Sequence, residues 1–388
     1  VLVVSGVRTA VNMDIDVFPD LTAPTVVVMT DAHGMASEEV ERLVTFPIET
    51  SVNGATGVRR VRSASSQGFS FVWVEFDWGT DIFKARQIVS EKLLTVSSLM
   101  PLGIGQPVLA PQSSVMGEIF FIGIQADSTS LMELRTIAEW NIKPLLLATG
   151  GVSQVTIIGG DYKQYQVLAN PLKMKYYRVT MSELANTCRG ISQNSTGGVV
   201  RQYGNEYVVR GIARTSDLDV LGNSFVKSVN GKPVRLNDVT EVKIGSAVKM
   251  GHASENAQPA IIISISKQPN MNTLNVTQKI EENLATLQKT LPADVKLDTK
   301  IFRQADFIET SVSNVRDALI EGAVFVVIIL FIFLGSFRTT IISLLAIPLS
   351  LLGAVLAMKF LGLNINTMSL GGMAIAIGSL VDDAIIDV

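Results

Sequence analysis

Two carboxylates stand side by side, Asp382 and Asp383, inside an apolar run from Thr367 to Val388. The stretch before them, Gly371 to Val381, carries no charge. A carboxylate near the centre of a bilayer helix costs about 2.5–3.5 kcal/mol on insertion scales. A pair kept there faces a helix bundle or a water-filled path and marks a proton or ion route. Neighbouring helical residues are about 100° apart, so both aspartates can point into a bundle interior. At that distance they titrate as one coupled unit. The other reading is a soluble helix start capped by one of the two, and the apolar stretches ahead of it argue against that.

Other groups that could do chemistry are sparse. Met368 and Met373 invite a reading as a thioether ladder for a soft cation. No Met follows at helical spacing toward Asp382, so both read as apolar packing. Cys188 is the single cysteine and excludes an intrachain disulfide. His33 and His252 are far apart, and no Cys/His spacing suggests zinc. The expectation is no metal site and no cofactor. The chain has no Gly-x-Ser-x-Gly, phosphate loop or metal triad, so it does not read as an enzyme.

The elements that must position the aspartates divide the chain in two. It has 388 residues, net charge −3 and 17% charged residues, yet its mean hydropathy is +0.36. Nearly all the charge lies in residues 12–321, so a large water-exposed part joins a membrane part. There is no basic excess to suggest nucleic acid. The first residues, Val1 to Val11, read as the end of a helix and not as a signal peptide.

In the water-exposed part, short strands alternate with amphipathic helices. Strands are expected at Thr25–Thr30, Val58–Ser65 and Phe69–Phe76, with helices at Ser37–Val52, capped by Ser37, and Asp81–Leu93. Prolines 101, 107 and 111 mark a linker. The order then recurs: strand Glu118–Gln125, helix Ser130–Leu147, strands Val152–Ile158 and Lys163–Leu168, helix Met181–Ile191. Two β-α-β-β-α units in tandem suggest ferredoxin-like sandwiches. Gly197–Gly251 reads as a β-rich insertion with strands at Tyr207–Ile212 and Val239–Ile244. The alternation resumes with strand Ala260–Ser266, helix Thr273–Leu291 and strand Val295–Ile301.

From Phe307 the pattern becomes helical and apolar. Phe307–Glu321 runs into Gly322–Leu334, a turn follows at Gly335–Arg338, then the uncharged Thr339–Met358 with Pro348 inside it. Lys359–Asn366 is a second turn, and the aspartate run comes next. About 20 apolar residues span a bilayer, and Pro348 is tolerable in a packed membrane helix. Arg338 puts the first turn on the cytoplasmic side, while Lys359 in the other turn pulls the opposite way.

Several segments together resemble the resistance-nodulation-division (RND) efflux transporters, the AcrB/CusA/CzcA superfamily. They are Asp16–Asp20 (DVFPD), Val44–Glu49 (VTFPIE), Gly79-Thr80-Asp81, and above all Gly371–Ala384 (GGMAIAIGSLVDDA). The chain is similar to the N-terminal half of the inner-membrane subunit. Val58–Phe76 and Asp81–Arg86 look most like the heavy-metal branch. The relay segment departs from that branch. Leu380 stands where copper and silver exporters carry Met. Ala376-Ile377-Gly378 stands where divalent-cation exporters carry Asp-Phe-Gly, with Gly in place of Asp383. The double aspartate is that of drug exporters.

The resemblance implies α+β periplasmic porter subdomains with a β-rich docking insertion, plus transmembrane α-helices. Residues 1–11 would end a first transmembrane helix, 20–108 form the first porter subdomain, and 110–175 with 255–303 the second. Residues 176–254 would dock, and 307–388 hold transmembrane helices two to four. It implies a multi-pass protein of the bacterial inner membrane with a large periplasmic portion. It implies a homotrimer working with a periplasmic adaptor and an outer-membrane channel, in a lipid bilayer and without nucleic acid. Asp382 and Asp383 would be its proton relay, titrating against a lysine on a later helix. The implied function is proton-driven efflux of cations or heavy metals. A multidrug exporter and a non-pumping membrane scaffold of the same architecture are the alternatives.

Overall fold

The structure, a computed structural model, describes all residues except 1, 14, 17–22, 98–99, 102, 113–116, 192, 250, 270, 335–336, 374 and 377–388. Two compact units are present. One comprises 1–124, 141–157 and 262–388, the other 125–140 and 158–261.

The first unit opens with α1 (Leu2–Asn12) and a four-stranded sheet in the order β2-β3-β1-β4. Its strands are β1 (Thr25–Asp31), β2 (Val58–Ser66), β3 (Phe69–Phe76) and the short β4 (Val108–Leu109). Period-2 alternation decides which face is covered. Val26 and Val28 of β1 and Val72, Val74 and Phe76 of β3 point into the core. They meet Val40, Val44, Ile48 and Val52 of one continuous helix: α2 (Ser37–Val40), a π turn (Glu41–Thr45) and α3 (Phe46–Asn53). Ala85, Val89, Leu93 and Val96 of α4 (Ile82–Ser97) complete the core.

Two details differ from the sequence expectation. The N-cap of α2 is Ala36, not Ser37; the Glu39 carboxylate accepts from the Ala36 N–H at 3.3 Å and takes over the cap. The expected Ser37–Val52 helix contains the π turn, where Thr45 Oγ1 meets Ser65 Oγ and Ser70 Oγ, each at 2.8 Å.

Next come β5 (Glu118–Ala126), then α5 (Leu131–Ile137), a second π turn (Ala138–Ile142) and α6 (Lys143–Leu147), then β6 (Val152–Ile158). After β6 the chain returns to the second unit, to which α5 already belongs. Here β7 (Lys163–Ala169) leads to α7 (Pro171–Tyr176), α8 (Met181–Gly190), the hairpin β8 (Ser195–Gln202) and β9 (Asn205–Gly211), and α9 (Leu218–Gly222). The hairpin β10 (Phe225–Val229) and β11 (Lys232–Arg235) turns on Asn230-Gly231, both at positive φ, the type I′ geometry that suits Asn-Gly. After α10 (Leu236–Val239) comes β12 (Thr240–Ser246), and β13 (Ser254–Glu255) pairs with β14 (Gln258–Pro259). The core of this unit gathers Met174, Val179, Leu184, Val234, Leu236 and Val239.

The pairing of β7 corrects the tandem reading. β6 and β7 do not lie in one sheet; β7 pairs over its whole length with β12, Lys163 opposite Ser246 through to Ala169 opposite Thr240. The sheet that holds β6 is completed later in the chain by β15 (Ile261–Lys267) and β16 (Val295–Arg303), in the order β16-β5-β15-β6. Ile119, Ile122 and Ile124 of β5 and Ile261, Ile263 and Ile265 of β15 are buried, as are Val276, Ile280 and Leu284 of α11 (Thr273–Gln288).

Two long helices follow, α12 (Gln304–Leu334) and α13 (Phe337–Phe360). Phe337 and Arg338 belong to the first turn of α13, not to the turn before it. The first helix packs on α13 at Gly6, where a Cβ would lie 2.8 Å from Leu352 Cβ. Only a glycine permits that approach. Among the described residues no helix is long and apolar enough to cross a membrane.

Candidate functional site

Asp382 and Asp383 lie outside the described residues. What is described is the helical stretch that precedes them in the chain. Residues 367–373 and 375–376 are helical. Asn366 and Ser369 cap that start reciprocally: Ser369 N–H donates to Asn366 Oδ1 at 2.9 Å, and Asn366 N–H donates to Ser369 Oγ at 2.8 Å. This is the logic of a capping box, with Asn and Ser in the two roles. Asn366 is buried, so its polar groups need these partners. Met368 is exposed. Met368 and Met373 are five positions apart, about 140° around a helix, and do not share a face. Among the described residues no group of three or more His, Cys, Asp or Glu could hold a metal ion.

The head of this helix is tied to the segment that leaves α1. Ile15 and Ile365 form a parallel bridge, and the Asp16 N–H donates to Ile365 O at 3.0 Å. The Asp16 side chain turns the other way. Its Oδ2 accepts from Lys267 Nζ at 3.2 Å. Lys267 ends β15 and is 6% exposed. Its ammonium also donates to Met271 O at 3.1 Å and to Thr273 Oγ1 at 2.7 Å. Three donors thus meet three acceptors, which a buried ammonium requires. Thr273 is the first residue of α11, capped by Asn272. One aspartate therefore binds, by its backbone, the residue just before the helix that starts at 367, and, by its carboxylate, the sheet-helix junction.

A second cluster lies in the first sheet. Glu75 of β3 is buried and accepts from three arginines of the edge strand β2. Arg60 binds it as a fork, with Nη2 at 3.0 Å from Oε1 and 2.8 Å from Oε2. Arg62 Nη2 lies 2.5 Å from Oε1 and Arg59 Nη2 3.3 Å from Oε2. Burial pushes the Glu75 carboxyl up; the hydrogen bonds from Arg60, Arg59 and Arg62 and the charge of Arg60 outweigh it and hold the group below the usual carboxylate range. Arg59 also lies over the Trp78 ring, 5.8 Å from its centroid.

In the second unit Glu183 is held down to about 2, first by the Thr180 N–H, then by Lys227 and the Thr180 hydroxyl. The Thr180 N–H lies 2.8 Å away and Lys227 Nζ 2.9 Å. Cys188 is half-buried, and burial pushes its thiol up. It lines a cavity of about 600 Å³ with Val167, Ile191, Leu221 and Val242. A raised thiol is a poor nucleophile, so packing accounts for it.

Sequence reasoning missed Lys267 and Glu75 as buried charges. Each interrupts an apolar strand, in IIISISK and FVWVEF, and that interruption was the available signal. His33 faces its neighbour Asp31 on an exposed loop, as expected of a surface residue.

The family model described as AcrB/AcrD/AcrF family matches residues 1–388. Protein HelA of Legionella pneumophila is 32% identical over 393 residues, covering 100% of this chain and 37% of the relative. Cation efflux system protein CusA of Escherichia coli (strain K12) is 31% identical over 385 residues, covering 98% and 37%. Cation efflux system protein CzcA of Alcaligenes sp. (strain CT14) is 31% identical over 390 residues, covering 98% and 36%. A crystal structure of a heavy metal efflux pump superposes with TM-score 0.88 at 28% identity, covering 96% of this chain and 37% of that one. The chain thus spans little more than a third of the length of these relatives.

Proposed function

This chain belongs to the AcrB/AcrD/AcrF family, the RND transporters, and from that membership we propose that it is the N-terminal part of a proton-driven exporter of cations or heavy metals. The carrying observation is a family match over the whole length that includes Asp382 and Asp383 behind the uncharged Gly371–Val381. In this reading the pair takes protons within the bilayer, and the protonated and ionised states favour different arrangements of the porter part. The two relatives named as cation efflux system proteins, CusA and CzcA, favour the cation substrate.

The rest of the assignment is part of the proposal. Residues 20–108 form one porter subdomain, 110–175 with 255–303 a second, and 176–254 a docking subdomain. Residues 1–11 and 307–388 belong to transmembrane helices of a multi-pass inner-membrane protein with a large periplasmic portion. The assembly is a homotrimer with a periplasmic adaptor and an outer-membrane channel. Support for the spans comes from the near absence of charge after Glu321. The double aspartate favours one second reading, a multidrug exporter.

The deciding experiment replaces Asp382→Asn and Asp383→Asn singly in the full-length protein. Each abolishes efflux and leaves expression and trimer assembly intact. Normal export by both variants overturns the relay.

A further inference from the structure

The link from Ile365 through Asp16 to Lys267 joins two elements whose helix ends are capped without it. The helix that starts at residue 367 is already capped by Asn366 and Ser369. The start of α11 is already capped by Asn272 Oδ1, which accepts from Asn275 N–H at 2.9 Å. The extra contacts are long-range: Asp16 and Lys267 are 251 positions apart. Asp16 and Ile365 come from opposite ends of the chain.

We propose that Asp16 is a positioning residue that carries displacement of the helix starting at residue 367 to the sheet whose strand β15 ends in Lys267. The inference rests on the proton-relay reading above. Its geometry is that of a tie-bar. The backbone of residues 15–16 is joined to residue 365, immediately before the capped helix. The Asp16 carboxylate grips an ammonium whose other two bonds go to Met271 O and Thr273 Oγ1, at the loop and first turn leading into α11. A shift at the helix head therefore pulls on the end of β15 and the start of α11 together. The ammonium is buried, so loss of the carboxylate leaves an uncompensated charge and the pair is costly to break.

The test uses the full-length protein in proteoliposomes under a pH gradient, with Zn²⁺ as the probe. The variants are Asp16→Asn, Lys267→Met and the charge exchange Asp16→Lys with Lys267→Asp. Each single variant lowers the maximal Zn²⁺ flux at least tenfold with the half-saturating Zn²⁺ concentration unchanged, while proton flux persists. Asp382→Asn loses both fluxes. The charge exchange restores coupled flux. Wild-type Zn²⁺ flux in both single variants overturns the tie-bar.

A second readout does not depend on transport. Hydrogen exchange of the amides at 271–276 differs between wild type and Asp382→Asn, and the difference disappears in the Asp16→Asn background. A difference that survives Asp16→Asn overturns the proposal, including in a protein that moves no zinc. Absence of zinc flux in the wild type, with this hydrogen-exchange pattern intact, counts against the cation reading and leaves the tie-bar standing.

Discussion

Among single residues, Glu75 shows how one buried carboxylate can be held redundantly. Its three arginine partners are each roughly half exposed, and when one leaves the other two still hold the buried carboxylate. Arg60→Ala alone is expected to cost below about 1 kcal/mol, the scale of an exposed pair. Removing Arg59, Arg60 and Arg62 together strands a buried charge and is expected to cost about 3–5 kcal/mol. The sum of the three single losses falls well short of the triple loss, and thermal unfolding of the four variants measures the gap. Additive losses would show that the arginines act independently. Glu183 gives a pH dependence of determinate sign. Its folded pKa, about 2, lies below the ordinary 4.5, so its contribution is full above about 4.5 and fades as pH falls toward about 2. Glu183→Gln should lower the unfolding midpoint at pH 7 and much less at pH 3. An equal effect at both would contradict the Lys227 and Thr180 contacts as its cause.

For whole elements, the cap of the helix that starts at residue 367 and the α1–α13 contact make separate claims. Asn366→Ala removes the acceptor for Ser369 N–H and is expected to cost about 1 kcal/mol. It should appear as faster hydrogen exchange at 367–370, with no change in α11. Gly6→Val places a branched side chain against Leu352 and should lower the thermal midpoint, whereas Gly54→Ala, with nothing within 4 Å, should not. Most elements were legible because alternation and 3.6-residue periodicity report which face is covered. β1, β3, β5 and α8 all lie within a residue or two of their expected bounds. Partner choice was not legible for β7, because period 2 fixes the buried face of a strand but not the strand beside it. The two π turns were hidden for a similar reason: one inserted residue per turn leaves the apolar pattern nearly intact. Lys267 and Asp16 could not be paired from sequence, since nothing local relates residues so far apart in the chain.

For the molecule as a whole, the proposed export function separates into drive and cargo. The double aspartate was visible in sequence, and in the proposed relay it bears on the drive and not on the cargo. The cargo reading rests on relatives named for cation efflux and metal resistance. Against it, the described residues hold no His, Cys, Asp or Glu group of three that could bind a metal. The most concentrated charge described, around Glu75, is a surplus of arginine and would repel a cation. The two observations agree if cargo ligands come from the part that corresponds to the rest of the relatives' length, of which this chain spans about 37%. Soft and borderline cations would then be bound by sulfur, imidazole or carboxylate groups gathered by folding. A strain lacking the full-length gene should become sensitive to zinc, cobalt, copper or silver, and keep its tolerance of bile salts, dyes and antibiotics. Complementation by the intact gene restores metal tolerance; complementation by the Asp382→Asn form does not, because cargo binding without proton coupling moves nothing. Unchanged metal tolerance with new sensitivity to bile salts and dyes would reassign the cargo to amphiphilic drugs. It would leave the relay and the fold untouched, since neither depends on what is carried.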